Sequence, residues 1–436
     1  MQRLEMLYRL RPVFEPDDAV RKQTMSKNLQ RACALVTTLG FAALMGFSAP
    51  PEPKGESLVY FGTYTGFKYS KKGVPAGESH SQGIYVSRFQ AATGEVSEPQ
   101  LAAEIRNPSF LAVHPNRRFL YSVSEDPLSV GPYNDKASFI SAYAINTTTG
   151  KLTLLNTVPS GGTATCYISM DPSGKYLMAA SFGSGSVAVF RVNEDGSLGE
   201  ATALVKHTGH SVDPHYQAGP HAHSLDVSPD GRFAVASDLG ADRLFIYRFD
   251  SAAGSLTPNS PPSVQVTPPG AGPRHFIFAP DGKFGYVISE MSGIVTVYAW
   301  DSVQGRLTEI QATDTRPADF TDDKNAQLLN PFHSAEMQIH PNGKYLYESN
   351  RGPDTIGVYG VDPAKGTLTP IQQVSTRGLM PRHFAIDPTG AYLFAANEAS
   401  DGVVIFRIED GSGRITPTRT VLRIDTPVCV KFLPLN

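Results

Sequence analysis

Seven copies of one unit run along this 436-residue chain, and that repetition constrains its fold more than any other feature. The unit opens on an apolar-x-Pro-x-Gly run followed by an aromatic and an apolar residue. Its copies centre on Pro115, Pro172, Pro229, Pro280, Pro341 and Pro388, spaced 57, 57, 51, 61 and 47 residues apart. A second signature, Gly-x-apolar, follows each copy at Gly150, Gly196, Gly254, Gly305, Gly366 and Gly413. A seventh such turn, at Gly94, precedes the first proline copy. Its missing front half stands at the far end of the chain, Pro427–Pro434. Between the two turns lie β-branched and aromatic runs such as Ser186–Phe190, Arg243–Tyr247 and Gly402–Phe406, which read as strands. Each unit is therefore four strands, a to d, with the Pro-x-Gly turn between a and b and the Gly-x-apolar turn between c and d. Repeats of this kind, with one unit divided between the chain ends, predict an all-β, seven-bladed β-propeller closed within one blade.

Composition agrees. With 39 Gly and 34 Pro, the chain has too many turn formers for a coiled coil or helical bundle and too few for a low-complexity segment. Lys plus Arg total 38 against 41 acidic residues, a net charge of −3, which offers no electrostatic case for nucleic acid. Length alone would allow two or three domains. The split repeat instead makes residues 57–436 one ring, expected to be a monomer.

The N-terminus reads as an address. Ser26–Arg31 is a basic stretch, Ala32–Phe47 is uncharged, and small residues flank a cleavage point at Ser48 ahead of a Pro-rich run. Residues 25–48 are thus expected to be a signal peptide and 49–56 a linker, with the mature protein exported to the periplasm or medium and not membrane-bound after cleavage. Residues 1–24 are either a mis-assigned extension or translated chain that makes Ala32–Phe47 an anchor. Sixteen residues are short for a span, which needs about twenty. Cys33 leaves with the signal, and Cys166 and Cys429 are expected to be free, buried thiols, because no metal-ligand spacing or disulfide framework is present.

Both tight turns of every unit fall on one face, so the b–c and d–a loops fall on the other. All four long insertions, 65–82, 126–138, 206–217 and 315–332, are of that second kind, and function concentrates where loops vary. Six residues before each anchor proline is the start of strand a: Ser109, Cys166, His223, Arg274, Ala335, Arg382 and, in the split unit, Val428. One residue later stand His275, Glu336 and His383. Strand b ends at Glu125, Phe182, Asp238, Glu290, Asn350-Arg351 and Asn397-Glu398. Arginines, histidines and carboxylates converge on one mouth, although such residues also make inter-blade salt bridges. His221 and His223 resemble a metal pair without a matching carboxylate, so no metal and no cofactor are expected. No nucleophile elbow, zinc-protease motif, P-loop or dinucleotide fingerprint occurs. What remains is Arg, His and Glu chemistry, suited to an anionic or carbonyl-bearing small molecule.

The set Gly62–Thr65, Gly83–Tyr85, Gly219–His223, Gly272–His275, Ser289-Glu290, Tyr347–Arg351 and Pro381-Arg382 resembles the propeller lactonase family. That family holds propeller-type 6-phosphogluconolactonase and the fungal carboxymuconate lactonising enzyme, and the resemblance covers Ser57 to Leu433. It implies a metal-independent site whose catalytic residues map to His223, Arg274, Glu290 and Arg351. His221, His275, Asp238 and Arg382 are the expected substrate-binding residues. Ser289-Glu290 stands where Asn-Glu is usual, and Asn397-Glu398 where Asn-Gln is usual. The expected activity is hydrolysis of a small-molecule sugar lactone, with Glu290 as general base, the arginines on the anionic group or oxyanion, and His223 as proton donor or orienting group. An exported non-catalytic binder and a lactonising cycloisomerase are the alternatives.

Overall fold

The structure is a computed structural model that describes residues 55–66, 68, 77–125, 137–318, 320 and 333–435. The expected signal peptide, the upstream extension and most of the expected linker lie outside the described residues. One compact unit, Glu52–Asn436, holds every described strand.

Seven antiparallel sheets form, each with its strands in a-b-c-d order. Six follow the chain directly, as in Pro273–Phe278, Phe284–Ser289, Ile294–Asp301 and Arg306–Asp314. The seventh is composite. Pro427–Pro434 pairs antiparallel with Glu56–Thr63, which pairs with Gly83–Gln90, so the last strand of the chain supplies strand a of the first blade. The seven a strands touch their neighbours in a closed circuit, the last of them lying beside both Leu111–Val113 and Pro381–Ile386. The predicted propeller and its manner of closure are therefore both present. Among the described residues the only helical segment is the single 3₁₀ turn Glu398–Ser400.

The repeat signatures have physical jobs. The glycine of each Gly-x-apolar turn has φ between +68° and +86°, a region that disfavours a Cβ. In every unit but that of Gly150, which meets Val86 and Leu58, it also lies against an aromatic ring at the start of strand b in the preceding blade. A Cβ on Gly196 would meet Phe119 at 2.3 Å, on Gly254 Tyr176 at 2.2 Å, and on Gly413 Tyr345 at 2.4 Å. Farther along the same strands, the hydroxyls of Tyr60, Tyr121, Tyr286 and Tyr347 donate to the carbonyls of Gly150, Gly196, Gly366 and Gly413 at 2.7–3.0 Å. Each such bond contributes about 1 kcal/mol and ties one blade to the next. His114 and His340, which offered themselves as polar residues at turns, do the same work from the other signature, their Nε2 atoms lying 2.8 Å from the carbonyls of Gly174 and Gly390. In the first proline copy Arg117 stands in the glycine's place and takes φ +64°.

Cys166 and Cys429 are free and buried. Burial first of all pushes the Cys166 thiol up to about 12, which makes it an inert packing group.

Candidate active site

A backbone irregularity explains how residues of six separate blades come to face one point. In the blade that opens with Pro273, that residue pairs with Ser289 while His275 pairs with Ile288, so Arg274 is an extra residue in the ladder. The same bulge isolates His223 between Ala222 and Ser224, Arg382 between Pro381 and His383, Cys166 between Thr165 and Tyr167, and Val428 between Pro427 and Cys429. A wider variant, within the sheet of His333–Ile339, sets Ala335 and Glu336 opposite Ser349 alone. A bulge releases one side chain from the in-out alternation and re-aims it. The column six residues before the anchor proline is thus the bulge column.

Glu290 is the hub. Its side chain is 15 % exposed and follows directly on the strand Phe284–Ser289. Its N–H donates to the Gly272 carbonyl at 2.7 Å, and its carbonyl accepts from the Ser334 N–H at 3.1 Å, so its backbone is pinned between two blades. Oε2 accepts from Arg274 Nε at 2.9 Å; Oε1 lies 2.9 Å from Arg351 Nη2 and 3.0 Å from His333 Nδ1. Burial works against the charge, but Arg351, His333 and Arg274 overcome it and hold the carboxyl well below the usual carboxylate range. Both guanidiniums are anchored a second time. Arg274 Nη1 donates to the Ala335 carbonyl at 2.6 Å and Arg351 Nη2 to the Ser334 carbonyl at 3.1 Å. Burial lowers Arg274 to about 10, with Arg351 and Arg382 adding to the effect against Glu290, so it remains a cation at neutral pH.

Beneath this hub the channel is lined by histidines. His275 Nδ1 is 3.1 Å and His383 Nε2 3.3 Å from Glu336 Oε2, and all three residues are buried. Val430 N–H donates to His383 Nδ1, and burial brings His383 down to about 3, so its ring is neutral. His275 and His223 are likewise held well below the usual imidazole range, by burial first and then by Arg274. Arg382 lies 5.4 Å from the Tyr64 ring centroid, and the Tyr64 hydroxyl donates to Glu125 Oε2 at 3.0 Å. Burial raises the carboxyls of Glu125 and Glu398 against the pull of Arg382.

The structure thus brings together Arg274, Glu290 and Arg351, with Arg382 beside them and His223 and His275 below. It parts company with the expectation for Asp238. That residue is fully buried; Oδ1 accepts the N–H groups of His221 and Ala241 at 2.7 and 2.8 Å, and Oδ2 lies 2.6 Å from His207 Nδ1. Asp238 braces the mouth and does not face it. His221 and His223 turn to different partners. His221 stacks on Phe182 at 4.4 Å with Nδ1 on the Phe182 carbonyl, whereas His223 Nδ1 faces Cys166 Sγ at 3.7 Å. His333 was not among the expected residues. It sits eight residues before its anchor proline, in the column that also holds His221, and comparing those two histidines would have exposed it.

The His221 segment yields a stability prediction. A Cβ on Gly240 would stand 1.9 Å from the Gly219 carbonyl oxygen and 2.7 Å from the His221 ring. Gly240→Ala is expected to cost about 1–3 kcal/mol by overpacking, lowering the melting temperature by several degrees. A thermal unfolding curve that superimposes on the parent's would contradict this packing.

Comparison with known proteins decides the family. Residues 58–432 match the family model described as lactonase, 7-bladed beta-propeller. The chain belongs to this lactonase family. Among the relatives of this lactonase-family propeller, the 6-phosphogluconolactonase of Bacillus subtilis is 35% identical over 375 residues, 86% of this chain and 97% of that one. The 6-phosphogluconolactonase of Formosa agariphila is 33% identical, over 70% of this chain and 82% of its own. The solved structure of the Pseudomonas aeruginosa periplasmic gluconolactonase, PpgL, superimposes on this lactonase-family chain with a TM-score of 0.77 at 33% identity, covering 87% of this chain and 99% of that one.

Proposed function

We propose that this protein is a lactone hydrolase acting on a sugar lactone. The observation that carries the reading is the single carboxylate of Glu290 held between Arg274 and Arg351 at the channel mouth of a lactonase-family propeller. The relatives named for 6-phosphogluconolactone and gluconolactone activity supply the substrate class. An ester carbonyl attacked by water develops negative charge on its oxygen, and fixed guanidiniums stabilise that charge. Arg351 and Arg382 are placed for this oxyanion or for a substrate carboxylate or phosphate. Arg274, pinned at both ends, orients Glu290. His223 is neutral and buried, so it orients the substrate instead of delivering a proton from an imidazolium. Export through residues 25–48 belongs to the same proposal, supported by the periplasmic relative, and favours an unphosphorylated lactone.

The test is a pH-stat screen of plain and phosphorylated aldonolactones with the protein starting at Ala49, corrected for spontaneous opening. Turnover of a plain sugar lactone at a kcat/KM above about 10⁴ M⁻¹s⁻¹ is expected. If no lactone opens faster than the blank while one binds, the protein is a binding propeller and the hydrolase reading fails.

A further inference from the structure

Lactone hydrolysis near neutral pH needs a group that takes a proton from the attacking water, and Glu290 is poorly suited to that task. Its two oxygens already accept from Arg274, Arg351 and His333. Those donors favour its ionised form so strongly that the carboxylate is a feeble base. His333 is placed otherwise. An ionised carboxylate only accepts hydrogen bonds, so the 3.0 Å contact from Glu290 Oε1 to Nδ1 puts a hydrogen on Nδ1. The neutral ring then carries its lone pair on Nε2. That atom is buried, yet it has no hydrogen-bond partner in the structure. The ring itself is not sealed off, its side chain being 12 % exposed with Tyr216 edge-on at 6.5 Å between centroids. A buried polar atom without a partner is uncommon and calls for a ligand or water.

We propose that His333 is the water-activating catalytic base of this site, with Glu290 as the carboxylate that fixes its tautomer and orientation. The inference rests on the lactone-hydrolase reading above. Water attacks the lactone carbonyl carbon as Nε2 removes one of its protons, forming a C–O bond and an oxyanion that Arg351 faces. Collapse of that intermediate breaks the ring C–O bond, and the imidazolium returns the proton to the departing alkoxide. The product is the open hydroxy acid, which releases one proton to solvent on ionising; no other reactant is needed. The arrangement uses a base oriented by a third group, a geometry that recurs in nucleophilic and general-base catalysis.

Three measurements on the full mature protein test it. His333→Gln is expected to lower kcat by roughly 10²- to 10³-fold with little change in KM or melting temperature. His333→Ala should show the same loss and regain activity when free imidazole is added. Turnover by His333→Gln within about threefold of the parent would overturn the assignment. The third measurement needs no turnover: ¹⁵N shifts of the His333 ring in the parent protein should report a protonated Nδ1 and a bare Nε2. A protonated Nε2 with a bare Nδ1 refutes the dyad even if both variants fail to fold. A parent that opens no lactone sinks the hydrolase reading, and with it the catalytic role, even where the ring shifts show the expected tautomer.

Discussion

Glu290→Gln is expected to cut kcat/KM for the best lactone by about 10³- to 10⁴-fold, the scale seen when a carboxylate that orients a catalytic imidazole becomes an amide. Gln preserves the volume but not the charge that Arg274 and Arg351 share. It also lets an amide N–H face His333 Nδ1, which would favour the opposite ring tautomer. The same change should destabilise the fold by about 3 kcal/mol, because two guanidiniums are left in a largely buried site without their counter-ion. The stability effect has a sign in pH. Glu290 has a folded-state value depressed below its unfolded one, near 4.5. Its contribution is present above that value and is lost as the pH falls through the folded-state value. The gap in unfolding free energy between parent and Glu290→Gln should therefore be constant near neutrality and narrow only in acid. A gap that instead widened on acidification would contradict the ion-pair account, and unaltered turnover would remove Glu290 from the mechanism.

Arg274→Lys is expected to lower kcat/KM by about 10²-fold or more, the scale that loss of a fixed polar donor produces, despite keeping the charge. The guanidinium bridges two blades by using Nε toward Glu290 and Nη1 toward the Ala335 carbonyl. An ammonium is a single point and cannot hold both partners in that geometry. Arg274 is 3 % exposed, so the vacated donor site leaves a carbonyl without its partner as well. We expect a fall in kcat larger than the rise in KM, together with a melting temperature lower by several degrees. Steady-state kinetics and thermal unfolding of the purified variant decide it; a change confined to KM would mean that Arg274 only binds substrate.

The blades were legible because each signature answers a local steric demand that every repeat must meet. Gly254 cannot carry a Cβ against Tyr176 and Thr202, and Gly366 cannot carry one against Phe284. Register likewise found Arg274, His223 and Arg382, because the bulge recurs at a fixed distance from the anchor proline. Distance along a strand does not reveal which way a strand-end carboxylate turns. Asp238 stands one residue short of the Glu290 register, pairing with Ala222 as Ser289 pairs with Pro273; it folds back onto the N–H of Ala241 three residues on, whereas Glu290 reaches the arginines. His333 escaped notice for a different reason. Its column lies outside the bulge column, and in most other blades that column holds residues with no titratable side chain, such as Asn107, Ala164 and Gly272.

The composite first blade has a bearing on when activity can arise. Among the described residues, strand a of that blade, Pro427–Pro434, is the last strand in chain order, and its partner Glu56–Thr63 is the first. A nascent chain can assemble six complete sheets in order while the ring stands open. The seam shuts only after the final strand emerges, and that strand also brings Lys431 to within 4.5 Å of the Phe110 ring centroid in the channel. Synthesis order thus acts as a timer, so that a chain still being translated carries the arginines and Glu290 without the closed channel that sets them against one another.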